Sequence, residues 1–196
     1  MLTAEQVTEQ IILDFKNVDF SDDQFYQLCQ DNQFWRIELS AKGKLLIMPP
    51  IGGISGKREA DLIANLSLWN RRTQLGHVFS SSTIFRLPRG GSRSPDAAWV
   101  SNEVWASLTP ETQEKFPPIC PNFVIELRSR TDSLAQLQEK MQEYLDSGLQ
   151  LGWLINPQAQ QVEIYRPQQA VEIVQLPTQL SGENVLPEFI LDLSTF

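Results

Sequence analysis

The stretch PNFVIELRSRTDSLAQLQEKMQEYLDSG, residues 121–148, decides the fold: it reads as a buried strand, a polar turn and an amphipathic helix. From Phe123 to Arg128 only Glu126 and Arg128 are not apolar. Side chains alternate along a strand, so Val124, Glu126 and Arg128 share one face and Phe123, Ile125 and Leu127 the other. A carboxylate in such a strand needs a cation, a metal or a hydrogen-bond network, because burying it alone is costly. Arg128 shares its face, so an internal ion pair and a catalytic carboxylate are both open readings. In the turn, Asp132 and Ser133 are helix N-caps, and Gln136 completes a capping box with Ser133. Leu134, Leu137, Met141 and Leu145 then recur at helical spacing, and Gly148 is placed to end the helix. Lys140 and Tyr144 flank that stripe. A lysine there is by default an amphipathic surface residue.

Working outward, Leu151 to Ile155 is an apolar strand, which makes the helix a crossover between two strands of one sheet. Upstream, Asp96 to Ser101 is a strand entered through Pro95, with Asp96, Ala98 and Val100 on one face. Such an aspartate is often only a turn former. Residues 57–72 form a second helix, in which Glu59, Leu62, Ile63, Leu66, Trp69 and Asn70 share a face. Glu59 suits the positive helix end there, or serves as an accessory ligand. Before it, Phe34 to Ser40 and Leu45 to Met48 pair as a hairpin through Ala41-Lys42-Gly43, and Ile51 to Gly56 is a loop. Glu38 reads as an outward charge. Capping signals at Thr3 with Gln6 and Ser21 with Gln24 predict two N-terminal helices. Short strands at residues 77–80 and 83–87, one or two short helices at residues 103–115, a hairpin at residues 161–176 and a last segment at residues 185–193 complete the pass. The expected class is mixed α/β, a central sheet flanked by helices, as one domain over residues 1–196.

The 196 residues carry a net charge of −8, with 41% hydrophobic and 20% charged side chains. That suits an ordered globular chain and argues against a large basic surface for nucleic acid. Clusters such as Arg71 with Arg72, or Arg86, Arg89 and Arg93, remain candidates for a positive stripe. No apolar run reaches membrane-spanning length and no secretory leader pattern is present, so a cytoplasmic protein without membrane contact is expected. The two cysteines have no metal-type spacing, and the single histidine, His77, excludes a histidine-rich metal site. Two strand carboxylates, Asp96 and Glu126, are left as the chemistry-bearing pair. On neighbouring strands they would converge and suit a hard divalent cation such as magnesium.

Pro95-Asp96 followed by Glu126-Leu127-Arg128 resembles the PD-(D/E)xK motif of restriction-type nucleases. More closely, RSPDAAWVS, CPNFVIELRS, LQEKMQEYLDSG, LGWLINP and VEIYRP are similar to blocks of the Uma-type restriction endonuclease family, over residues 34–167. The resemblance implies a restriction endonuclease-like core at residues 34–167, with an N-terminal helical extension at residues 1–33 and C-terminal strands at residues 168–196. It implies magnesium-dependent (or manganese-dependent) DNA cleavage, with Asp96 and Glu126 as metal ligands; Glu59 stays an accessory candidate by its position alone. Many enzymes of this fold are dimers, so by analogy a homodimer is expected. The pattern places lysine two residues after the acid, where this chain has Arg128, which does not readily lose its proton. Either Arg128 fills the electrostatic part of that role or Lys140 supplies the ammonium from the helix. The alternatives are a nuclease-fold binding or scaffold module without activity, and a phosphodiesterase of smaller substrates.

Overall fold

Residues 10–18, 20–194 and 196 are described by a computed structural model. The elements run β1 (Ile11–Asp14), α1 (Asp22–Asp31), β2 (Arg36–Leu39), β3 (Lys44–Met48), α2 (Gly53–Thr73), β4 (Gly76–Ser80), β5 (Phe85–Arg86), β6 (Ser92–Arg93) and β7 (Ala97–Ser101). There follow α3 (Asn102–Ala106), α4 (Pro110–Glu114), β8 (Phe123–Leu127), α5 (Leu134–Asp146), β9 (Leu151–Asn156), β10 (Gln161–Tyr165), β11 (Glu172–Gln175), β12 (Gln179–Ser181) and β13 (Ile190–Asp192).

The central sheet has the order β11-β10-β9-β8-β7-β4. Strands β8 and β9 are parallel, as the crossover helix requires, and the other neighbours are antiparallel. Each face of the sheet is covered by one helix. Leu62, Leu66 and Trp69 of α2 pack on Ala97, Trp99, Phe123 and Ile125, and Met141 and Tyr144 of α5 pack on Ala98, Val100, Val124 and Leu154. Fully burying one such leucine stabilises by about 1.5–3 kcal/mol, so these two layers fix the sheet between them. Gly152 on β9 admits α5 closely: a Cβ there would stand 2.5 Å from the Met141 methyl and 2.8 Å from Leu149 Cδ2.

A second sheet, ordered β1-β3-β2-β6-β5, lies across the N-terminal part of the chain. Ile37 and Leu45 on one of its faces join Phe25 and Ile84 in a separate core. The hairpin β2–β3 forms as expected, and Ser21 with Gln24 makes the predicted capping box on α1. Four local expectations are corrected. The capping signal at Thr3 and Gln6 lies outside the described residues, and Ile11–Asp14 is a strand paired with β3, so the N-terminal extension is not purely helical. Residues 53–56 are not loop but the first turn of α2, entered through Gly52 with no side-chain cap. Glu59 is therefore in the second turn, too far from the helix end for the dipole to explain it. The Ser133 hydroxyl makes no capping bond; the Asp132 carboxylate instead accepts from the Ser129 amide at 2.7 Å and fixes the turn.

Candidate active site

The antiparallel register of β7 and β8 pairs Ala97 with Ile125 and Ala98 with Val124. One step further, Asp96 stands opposite Glu126. The two carboxylates predicted from sequence are thus brought together at one end of the sheet. Asp96 Oδ2 accepts from the Leu127 amide at 2.8 Å, and Oδ1 faces the Arg36 guanidinium at 3.4 Å. Glu126 is 2% exposed. Its Oε1 pairs with Lys140 Nζ at 2.8 Å and accepts from the Tyr144 hydroxyl at 3.0 Å. No hydrogen bond among the described residues reaches its Oε2.

Lys140, expected at the surface by default, is 6% exposed. Three oxygens surround its ammonium, one for each N–H: Glu126 Oε1, Glu38 Oε1 at 2.9 Å and the Ser94 carbonyl at 2.9 Å. Helical spacing explains the placement. Lys140 shares a turn with Met141 and Tyr144, both fully buried against the sheet, and Gly152 lets that turn sit close enough for the short reach to Glu126.

Glu38 is the residue that sequence reasoning misplaced. It is 1% exposed and holds Lys140, Arg93 at 3.1 Å and Arg36 at 3.7 Å, while its Oε1 also accepts from the Ser94 amide at 3.1 Å. Arg93 reaches on to Glu143 at 2.7 Å. The signal available was the alternation Arg36, Glu38, Ser40, a polar face of β2 that normally means solvent; here that face is turned towards the central sheet. Arg93 and Arg86 do not form the expected basic rim. Arg93 is buried in this network, and Arg86 pairs with Asp22 elsewhere.

Arg128 does not partner Glu126, although the two share a strand face. Its Nε donates to the Asp132 carbonyl at 3.1 Å and its Nη1 to Asn156 at 3.4 Å, stapling the turn before α5. The structure thus takes Arg128 out of the carboxylate pair and puts Lys140 beside it. Glu59 accepts from the Ser81 hydroxyl and lines the same cleft as Asp96 and Glu126. Burial, with the nearby Asp96 charge adding to it, raises its carboxyl above the usual range.

The electrostatics separate the two buried glutamates. Burial alone would raise Glu38, but the Lys140 ammonium and the Arg93 and Arg36 guanidiniums outweigh it and hold it down to about 2. Glu126 is pushed up to about 7: burial dominates, Lys140 opposes it, and the Asp96 and Glu38 charges add to it. Burial works against the Lys140 charge as well, yet Glu126 and Glu38 together raise its amine above the usual range.

Among the described residues no three histidine, cysteine or acidic side chains gather as a ready-made metal cage. The donors that are present still fit a hard cation. They are oxygens only, one of them an unpartnered oxygen of a buried carboxylate, and magnesium is commonly held by one or two carboxylates with water and substrate phosphate completing its shell. Asp96 and Glu126 would be the ligands, with Glu59 beside them.

A mixed sheet with α2 and α5 on opposite faces, with one acid just before β7 and another on the adjacent β8, is the arrangement expected of the restriction endonuclease-like class. The family model described as "Putative restriction endonuclease" (Uma2) matches residues 22–194, and the chain belongs to that family. A crystal structure of a protein from Anabaena variabilis ATCC 29413, described as "a putative nuclease belonging to DUF820", has the same fold. It is 22% identical, with a TM-score of 0.68 over 80% of this chain and 87% of that one. No curated protein matches the chain in sequence. Among the described residues no helix is long and apolar enough to cross a membrane.

Proposed function

We propose that the protein is a magnesium-dependent endonuclease hydrolysing DNA phosphodiester bonds, with manganese able to replace magnesium. The observation that carries this reading is the pairing of Asp96 with Glu126 across β7 and β8 beside the buried ammonium of Lys140. When bound, the cation would activate water and neutralise charge on the scissile phosphate. Asp96 and Glu126 would hold it, and the Leu127 amide and Arg36 fix the Asp96 carboxylate. Lys140 takes the electrostatic role of the motif's lysine. Paired with Glu126 Oε1 and hydrogen-bonded to Glu38 and the Ser94 carbonyl, it acts by keeping Glu126 Oε1 in place and by its charge. Membership of a family described as restriction endonucleases supports this assignment.

The test is cleavage of single-stranded and duplex DNA with magnesium or manganese, together with calorimetric titration of the metal, on wild type, Asp96→Ala and Glu126→Ala. Cutting that needs the metal, falls by at least roughly 100-fold in either variant and disappears with chelator is expected. A wild type that neither cuts nor binds the cation at millimolar concentration would leave a nuclease-fold binding module. A homodimer belongs to the same proposal. Sedimentation with and without DNA reads it directly.

A further inference from the structure

The carboxylate pair lies at the floor of a cleft of about 810 Å³. One wall is the polar-apolar face of the N-terminal sheet, Arg36 and Glu38 of β2 with Leu46 and Met48 of β3, continued by Pro49 to Ile54. The opposite wall is the turn from Arg128 to Ser133, with Pro157 and Gln158 beyond it. Depth is set by the burial of the floor: Glu126 and Lys140 are buried, and the Asp96 side chain is 14% exposed.

Charge constrains the occupant further. A B-form duplex carries one negative charge per about 1.7 Å of its axis, so proteins that track it present rows of cations. Here Arg36, Arg93 and Lys140 are all committed to carboxylates. The lining cations that make no ion pair among the described residues are Lys44, Arg58, Arg128 and Arg130, four charges on a chain of net −8. Between them lies an aliphatic surface, with Ile51 and Ile54 exposed at the mouth. A cleft of this size takes a ligand of drug-like dimensions, roughly one or two nucleotides. Unpaired strands are held in grooves where cations follow the backbone and the bases lie against side chains; here the four cations would do the first and Met48, Ile51 and Ile54 the second.

We infer that the substrate is unpaired DNA, a single strand or the single-stranded tail of a duplex, threaded into this cleft with its bases against Met48, Ile51 and Ile54. This rests on the nuclease reading above and adds the strand form to it. A duplex would need a longer row of cations than this cleft presents. A strand whose base pairs are already open brings one phosphate down to Asp96 and Glu126.

The experiment compares a single strand, the same sequence as a blunt duplex, and a duplex with an unpaired tail. Cleavage is followed with manganese, and binding by anisotropy with calcium, for wild type and Ile54→Glu. Ile54 is 73% exposed, so the variant is expected to fold, which its thermal midpoint checks. Expected are cuts confined to unpaired DNA, single-strand binding roughly 10-fold or more tighter than duplex, and a loss of about 10-fold in Ile54→Glu. Blunt duplex cut or bound as well as the single strand overturns the inference and leaves the nuclease reading standing. So does a single-strand preference that Ile54→Glu leaves untouched. If no DNA is cut, the nuclease reading fails, and the binding arm alone decides this one. Hydrolysis of bis(p-nitrophenyl) phosphate with no DNA bound overturns it in favour of a small phosphodiester.

Discussion

Lys140 and the two glutamates it joins have opposite energetic characters. Glu38 is an anion the fold welcomes, touched by three cations. Glu38→Gln leaves Lys140 and Arg93 without that charge in a buried place, and breaking such a network costs on the order of 3–5 kcal/mol. Urea unfolding at neutral pH is the measurement. Glu126 is the reverse. Its folded carboxyl is raised from 4.5 to about 7, so the folded state binds a proton that the unfolded state has lost, and stability falls as pH rises through that window. Glu126→Gln removes the dependence. We expect it to match wild type near pH 4.5 and to exceed it by up to about 3 kcal/mol at pH 8, while cleavage is lost. A variant that is destabilised at pH 8 would show that the ionised carboxylate is not a strained group. Gaining stability by deleting a functional acid is the usual trade at a site kept for chemistry. Asp96, Glu126 and Lys140 were legible in the sequence because each breaks or edges an apolar pattern. Glu38 and Arg93 were not: a charge on the polar face of a hairpin looks the same whether that face meets water or another sheet. Only the tertiary arrangement distinguishes the two.

At the scale of elements, α5 is the part on which the site depends. It brings Lys140 and Tyr144 to Glu126, and its distance from the sheet is set at Gly152. Gly152→Ala already requires both the flexible Met141 methyl and the Leu149 side chain to shift. Gly152→Val adds two methyl groups to the same crowded place, beside Val124. Overpacking of this kind costs about 1–3 kcal/mol. It should also lift α5 and lengthen the Lys140–Glu126 contact, seen as a lower thermal midpoint together with loss of activity greater than the stability change explains. Restored activity on pairing Gly152→Val with a smaller residue at Met141 would confirm the cause. The order strand, turn, helix, strand was readable from periodicity alone, and so was the parallel pairing that a crossover helix imposes. The start of α2 was not, because Gly52-Gly53 is a breaker by composition. The turn at Ser133 was read with the wrong partner, since Asp132 competes for the same local role and wins.

Across the whole molecule, the joint between the N-terminal sheet and the central one is made of charges as well as oil. Arg36 and Glu38 from β2 meet Asp96 before β7 and Lys140 on α5. Buried pairs are little screened, so salt should loosen this joint hardly at all. Acid should. Glu38 is depressed from 4.5 to about 2, so its contribution is full above pH 4.5 and disappears as pH falls towards 2. Hydrogen exchange in that range should release the amides of β2 and β3 before those of β8 and β9; simultaneous release would mean that the two sheets do not separate.

The pairing of Glu38 with Lys140 spans 102 positions of the chain. During synthesis, β2 therefore leaves the ribosome long before the residue that neutralises it. Until α5 follows, Glu38 and Glu126 both lack the ammonium they share, and Asp96 has its guanidinium but no finished partner across the strand pair. A nascent or truncated chain ending before Lys140 holds the acids of the site without the arrangement that makes them useful. The charges of the candidate site come together only once Lys140 has been made.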